Sequence, residues 1–275
     1  MRRAFHAAIL LGLLLAAPGT GRAGWVSDWT NTAVKPNGDP LDKQSVTMAI
    51  ANGRVRTQQP DVVTVIDYNA GRFTMINTTK HTYWSGTIDD YVKQVGRNRM
   101  DLMKKQLGTE GFKSRKLREA TGGEYQPPTI DPSKLPPVSL TKTDVTERIA
   151  GYDAVKYEAR ANGDLFQEFW IAPSLNVSSD LDPSRYFAVQ QKMTAGMIGK
   201  SAPYFNALYR DPAYRKLLDS GFVLKVVNHH IAGQFERVAT TMRQAEVPPA
   251  DFEVPAAYRR VGINDVLAAP PPQGS

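Results

Sequence analysis

The chain has 275 residues, of which 34 are lysine or arginine, 27 are aspartate or glutamate, and none is cysteine. The lack of cysteine excludes disulfide bonds and thiolate chemistry and argues against a zinc site. The basic residues are scattered, apart from the run KSRKLR at 113–118, so the sequence does not predict nucleic-acid binding.

The first 23 residues predict a secretory signal peptide. Arg2 and Arg3 give a basic start, residues 7–17 are apolar, and small residues beside Ala23 suit cleavage near that position. The apolar run is shorter than the roughly 20 residues that a membrane-spanning helix needs. No cysteine follows the run, so a lipid anchor is not expected. These features predict an exported, soluble, periplasmic protein.

The polar stretch 24–44 contains the turn-rich sequence PNGDP, which predicts an irregular lead-in before a single domain at 45–261. The domain opens with alternating residues at 45–51 and 54–57 around Asn52-Gly53, a pattern typical of a β-hairpin. Residues 62–67, 72–77 and 82–85 predict three more strands, so this part of the chain is expected to form a β-meander.

A helix is predicted to follow the meander. Thr87 and Asp90 form a capping-box pattern at its start, an apolar stripe runs along it, and Gly108 is expected to end it. The segment 109–137 is rich in proline and glycine, which predicts a surface linker with one helical turn around 114–120.

Residues 144–173 predict three strands joined by tight turns at Ala150-Gly151 and Asn162-Gly163. The next segment, 180–220, predicts a helical insertion with helices at 184–198, 202–209 and 212–220. Strands are expected at 222–228 and 234–246 around a turn at 229–233, and a flexible tail at 262–275. This order predicts an α+β fold in which an antiparallel sheet carries helices on one face.

Three stretches resemble a family of exported bacterial domains of unknown function that shares the fold of the LolA/LolB-like lipoprotein carriers. They are VVTVIDYNAGRFTMINTTKHTYW at 62–84, ERIAGYDAVKYEA followed by EFWIAP, and the V-P-x-x-x-F-x-x-P-x-x-Y run from Val247 to Tyr258. The resemblance covers roughly residues 45–261. It implies a curved antiparallel half-barrel with helices packed on its concave face, and an apolar cavity that takes acyl chains. The linker and the helical insertion depart from the small carriers.

No local motif predicts an enzyme, a metal site or a cofactor. The sequence contains no G-x-S-x-G, H-E-x-x-H or P-loop pattern, and the adjacent His229 and His230 would point to opposite faces of a strand. The carboxylate pairs at 89–90 and 180–182 lie at expected helix starts, where capping explains them. A triad assembled from distant residues stays an alternative.

Flexible methionines and broad aromatic side chains suit an apolar binding cavity, although the same spacing also describes an ordinary core. The cavity residues predicted on this basis are Phe73, Met75, Tyr91, Val95, Met103, Phe166, Trp170, Met193, Met197 and Phe205.

Three functions remain open at this stage. The leading hypothesis is a non-enzymatic periplasmic binding or carrier protein for an apolar ligand, either a small molecule such as a lipid or the acyl chain of a lipidated protein. The second is an envelope interaction or sensor protein that acts through its surface, with peripheral contact to envelope membranes. An exposed apolar patch on 180–220 would favour it. The third is a hydrolase, which requires Ser or Asp to converge with His81, His229 or His230. The sequence predicts no oligomeric state.

Overall fold

The computed structural model describes residues 22–35, 37–98, 129–197, 201–230 and 233–267. The predicted signal peptide up to residue 21, most of the predicted linker with its helical turn, and the tail beyond residue 267 lie outside these ranges. Met103 lies outside them as well. The prediction of a flexible tail at 262–275 is wrong at its start, because Ile263–Leu267 form a helix whose Ile263 and Val266 are buried.

The strands of the described residues form one open, curved sheet of twelve strands. In chain order they are β1 (Arg22–Val34), β2 (Pro40–Ala51), β3 (Arg54–Gln58), β4 (Val62–Asp67), β5 (Arg72–Asn77), β6 (Thr82–Thr87), β7 (Val138–Ile149), β8 (Tyr152–Ala161), β9 (Asp164–Ala172), β10 (Phe222–His230), β11 (Gly233–Val247) and β12 (Arg259–Arg260). Their order across the sheet is β12-β6-β5-β4-β3-β2-β1-β11-β10-β9-β8-β7. Neighbours are antiparallel except β12 and β6, which are parallel.

Helix α1 begins at residue 88 and is described as far as residue 98. The helices that follow are α2 (Pro183–Ala195), α3 (Ala202–Leu208), α4 (Pro212–Leu218) and α5 (Ile263–Leu267), and short 3-10 turns occur at Pro132–Lys134 and Pro249–Phe252. The predicted capping box is confirmed, because the Asp90 amide donates to Thr87 Oγ1 at 3.1 Å and the Thr87 amide donates to Asp90 Oδ2 at 3.2 Å. Asp182 and Asp211 cap α2 and α4.

The hairpins with strong turn chemistry form as predicted. Strands β4 and β5 have the predicted bounds. At the two turns of the β7–β8–β9 meander, Ala150 and Asn162 have φ values of 50° and 53°, and the glycines after them have φ values of 89° and 90°. Backbone with a positive φ favours glycine and asparagine, so the local sequence determines where these strands reverse direction.

The prediction of an irregular lead-in at 24–44 is wrong. Residues 22–34 form β1, which pairs with β2 on one side and β11 on the other, and β2 begins at Pro40. The polar residues of this segment are compatible with a strand because Trp25 and Trp29 alternate with smaller residues and are 7% and 4% exposed. The PNGDP sequence supplies only the turn, where the Lys35 amide donates to the Asp39 carbonyl at 2.8 Å.

The helices contact side chains that share one face of the sheet. Tyr91 of α1 stacks on Phe73 of β5 with ring centroids 4.0 Å apart. Tyr214 of α4 meets Phe169 of β9 at 5.5 Å. These sheet residues lie in opposite halves of the sheet, so α1 and α4 contact it at two distant places. That this face is the concave one stays a prediction.

If β1 is an integral strand, truncating its buried tryptophan should destabilise the whole protein. Trp25→Ala should lower the free energy of unfolding by about 3–5 kcal/mol, the usual loss for a large aromatic residue removed from a core. Urea unfolding followed by far-ultraviolet circular dichroism measures this. Leu41→Ala, at an exposed position of β2, is the control and should change stability by less than about 0.5 kcal/mol. Equal stability of the two variants would contradict the placement of β1.

Candidate functional site

A cavity of about 650 Å³ lies between the sheet and the helices. Strands β1 to β4 contribute one wall, β9 to β11 continue it, and α1 to α4 cover it. Its volume is in the range of small-molecule sites in proteins, which are about 300–1,000 Å³. The cavity therefore has the size and the position that a ligand held between sheet and helices requires.

Most of the cavity wall is apolar. The sheet contributes Met48, Ile50, Val55, Ile66 and Val226, the helices contribute Val92, Val95, Met193, Phe205 and Leu218, and Met197 follows the end of α2. The unbranched side chains of the three methionines adapt to ligands of different shape. An apolar chain bound here would exchange contact with water for contact with these side chains, a gain of roughly 25 cal/mol per Å² buried.

Five of the predicted cavity residues line the cavity: Tyr91, Val95, Met193, Met197 and Phe205. Phe73 and Met75 are buried in the core on the same side of the sheet, and Phe73 packs behind Tyr91. Phe166 is buried against Tyr204 and Phe205 of α3 and does not line the cavity.

Trp170 is placed on the opposite face of the sheet from the cavity. It follows Phe169, which faces the helices, and successive side chains of a strand point to opposite faces. Its ring lies between two lysines, with Lys225 Nζ at 4.4 Å and Lys156 Nζ at 5.6 Å from the ring centroid. These are cation–π distances, so Trp170, which is itself buried, packs beneath two lysines on this face of the sheet.

Four tyrosines gather at the helix-covered side of the cavity: Tyr68, Tyr186, Tyr209 and Tyr214. The ring centroids of Tyr68 and Tyr186 are 5.8 Å apart, and those of Tyr209 and Tyr214 are 5.5 Å apart. Burial raises the pKa of all four phenols well above the ordinary value. The hydroxyl groups are therefore neutral at physiological pH and provide hydrogen-bonding groups without charge.

Sequence reasoning missed a polar strip across β9, β10 and β11. Gln167, Asn228 and Arg237 line the cavity, and the Gln167 amide donates to Asn228 Oδ1 at 2.7 Å. A signal was present, since Gln167 interrupts the apolar stretch LFQEFWIA at a position that a two-sided apolar strand would fill with a hydrophobic residue. Arg237 carries no such signal, because the sequence of β11 is polar along much of its length.

The other face of β8, β9 and β10 carries a charged network. Glu168 pairs with Lys156 and also accepts a hydrogen bond from His229 Nε2 at 2.7 Å. Burial alone would raise the pKa of Glu168, but the bonds to Lys156 and His229 outweigh burial and lower it. Lys225 pairs with Glu147 at 3.0 Å. Each cation of this surface therefore has a carboxylate beside it.

The histidines do not assemble a nucleophilic site within the described residues. The predicted turn at 229–233 is wrong at its start, because His229 and His230 are the last residues of β10 and continue its ladder with β11. His229 contacts Glu168 and Gln234, and His81 packs on the ring of Tyr258 at 5.0 Å. Among the described residues there is also no group of three or more potential metal ligands.

Large apolar side chains that remain exposed are scattered over the described surface. They are Leu41, Val145 and Leu267, and none lies in the segment 180–220. The described helices include none with the length and apolar character that crossing a membrane requires.

Comparison with known proteins gives distant likenesses only. No protein-family model matches the sequence, and no curated protein matches it. Among solved structures, PNGF-II is 10% identical over 90% of this chain with a TM-score of 0.37. The Pseudomonas aeruginosa MucA/MucB complex is 13% identical over 89% of this chain with a TM-score of 0.37. A Vibrio parahaemolyticus domain described as an outer membrane lipoprotein-sorting protein is 9% identical over 86% of this chain and 91% of its own length, with a TM-score of 0.29.

The chain spans 32% of the PNGF-II chain and 60% of the chain that it matches in the MucA/MucB complex. At these identities and scores, none of the three likenesses identifies a family or a function for this protein.

The tyrosine cluster predicts how the protein responds to alkali. A phenol with a raised folded-state pKa contributes stability that is complete below the unfolded-state value of about 10 and is lost as the pH rises above it. Near-ultraviolet titration of tyrosinate should show that at least the four tyrosines of this cluster ionise only when circular dichroism reports unfolding. Ionisation of every tyrosine near pH 10 in the folded protein would contradict the burial of the cluster.

Proposed function

We propose that this protein is a non-enzymatic binding or carrier protein of the periplasm that holds an apolar ligand between its sheet and its helices. The ligand would be a lipid or the acyl chain of a lipidated protein. The observation that supports this proposal is the cavity of about 650 Å³ with its mainly apolar wall. The sequence resemblance to periplasmic lipoprotein carriers implies a cavity of the same kind.

The two rival functions have less support. A surface-acting sensor would be favoured by an exposed apolar patch on 180–220, whereas the exposed apolar side chains of the described residues are scattered elsewhere. A hydrolase would need a nucleophile beside a histidine. The described contacts of His229 are with a carboxylate and an amide, and those of His81 are with an aromatic ring. The binding function uses the cavity and needs no such group.

Ligand content is the direct test. We expect native mass spectrometry of the protein purified from the periplasm to show one bound lipid per chain, and organic extraction to release it. The purified protein should also take up the neutral apolar dye phenylnaphthylamine, with a rise in dye fluorescence. A ligand-free mass together with no dye uptake would end the proposal and direct attention to surface partners.

Filling the cavity should abolish binding without unfolding the protein. Val95 lies on α1 and lines the cavity, so Val95→Trp places an indole in the space that the ligand would occupy. We expect dye affinity to fall by about tenfold or more, corresponding to at least about 1.4 kcal/mol of lost binding free energy. Fluorescence titration measures this change.

Lys93→Trp is the matched control, because it adds the same indole to an exposed position two residues away on the same helix. Its dye affinity should equal that of the wild type, and both variants should keep the far-ultraviolet spectrum of the wild type. Undiminished dye binding by a folded Val95→Trp variant would show that the dye binds elsewhere.

A further inference from the structure

If the cavity binds an apolar ligand, as the proposed function states, a charged side chain in its wall indicates the chemical class of that ligand. Among the described residues that line the cavity, Arg237 of β11 is the only one with an ionised side chain at neutral pH. The remaining wall consists of apolar side chains and neutral polar groups. The cavity therefore joins a large apolar surface to a single positive charge.

No carboxylate of the described residues neutralises Arg237. Its guanidinium carbon lies 4.6 Å from the centroid of the Trp29 ring, and its Nε and Nη2 atoms are buried and make no hydrogen bond. Burial lowers the pKa of this guanidinium, and the interaction with the Tyr186 hydroxyl partly opposes that effect. Arginine nevertheless keeps its proton at neutral pH.

An uncompensated buried charge destabilises a folded protein, because the lost hydration is not replaced. The neighbours of Arg237 across the sheet, Asn31 and Val226, are uncharged. Asn31 Oδ1 is itself buried without a hydrogen-bond partner. An amide oxygen would satisfy one donor but would not neutralise the charge.

We propose that the cavity takes an amphiphile with an anionic head group, a carboxylate or a phosphate, whose charge is compensated by Arg237. Charge-assisted hydrogen bonds from a guanidinium to these groups are about twice as strong as neutral ones, and Arg presents several donors in a planar fork. Trp29 would hold the guanidinium in position through its ring face, and the neutral tyrosines would offer further donors without repelling the anion.

The apolar chain of such a ligand would lie along the wall formed by Val55, Val95 and Met193. An acyl chain joined to a protein by an ester or amide bond carries no charge at that linkage. The unpaired guanidinium therefore favours a free anionic amphiphile, such as a fatty acid or a phosphate-headed lipid, over the acyl chain of a lipidated protein.

The test compares ligands that differ only in the head group. Dodecanoate, dodecyl phosphate and dodecanol, each below its micelle-forming concentration, are titrated against the protein loaded with phenylnaphthylamine at neutral pH. At least one anion should displace the dye at a concentration about tenfold lower than dodecanol, the ratio expected from a charge-assisted hydrogen bond. The stronger of the two anions identifies the head group as carboxylate or phosphate.

Arg237→Met should remove this preference, so that dodecanol and both anions displace the dye from this variant at similar concentrations. Arg237→Lys should keep part of the preference, because the charge remains but the planar fork is lost. Arg243→Met is the matched control on the same strand, at an exposed position, and should bind every ligand as the wild type does. The melting temperature of ligand-free Arg237→Met should equal or exceed that of the wild type, since a buried unpaired charge is replaced by an apolar side chain.

If dodecanol and both anions displace the dye from the wild type at equal concentrations, the proposal of an anionic head group is wrong, and the proposed function is unaffected. An anion preference that survives in Arg237→Met would also contradict the proposal of an anionic head group compensated by Arg237. Failure of the wild type to bind the dye or any of the three amphiphiles would instead reject the proposed function itself. The comparison within the wild type is decisive even if the methionine variant folds poorly.

Discussion

The two halves of the sheet are joined through a single strand, β1. In the order β6-β5-β4-β3-β2-β1-β11-β10-β9-β8-β7, every neighbour pair on either side of β1 is formed by strands consecutive in sequence. β1 alone brings the beginning of the described chain against β11, near its end, through a long antiparallel ladder. The cavity depends on this ladder, because Ile50 and Val55 belong to one half and Val226 and Arg237 to the other.

Local turn chemistry made much of the sheet predictable, whereas pairing between distant segments did not. Asn52-Gly53, Ala150-Gly151 and Asn162-Gly163 have backbone that only certain residues adopt readily, so the sequence alone indicates where these strands reverse. β1 pairs with β2 across the PNGDP turn, but no local signal indicates its pairing with β11, about two hundred residues away in the chain, and its polar residues resemble those of a loop. The alternation Trp25-Ser27-Trp29 was the available clue, with buried Ser27 accepting a hydrogen bond from the Trp29 indole at 2.8 Å.

The same distinction applies to the candidate site. Apolar periodicity on α1 and α2 predicted cavity residues such as Val95 and Met193, because a helix has only one stripe to bury. It misplaced Trp170, because both faces of β9 are covered and composition cannot tell which face meets the helices. Arg237 was unpredictable for a related reason. The face of the sheet on which its side chain lies follows from its register opposite Asn31 and Val226. Asn31 belongs to β1, a strand far from Arg237 in the chain, so no local pattern indicates this register.

Selectivity for an anion would then come from a missing carboxylate rather than from an abundance of basic residues. Outside the cavity, three cations of the sheet have acidic partners: Lys156 with Glu168, Lys225 with Glu147, and Arg54 with Glu253. These three cations gain little from a further anion, since each charge is already compensated by its carboxylate. Arg237 has no such partner among the described residues and is largely removed from water, in surroundings where an electrostatic interaction is stronger than it is in bulk solvent. A ligand that carries both a chain and a charge would satisfy the cavity wall and the guanidinium together, which neither a neutral lipid nor a small free anion can do.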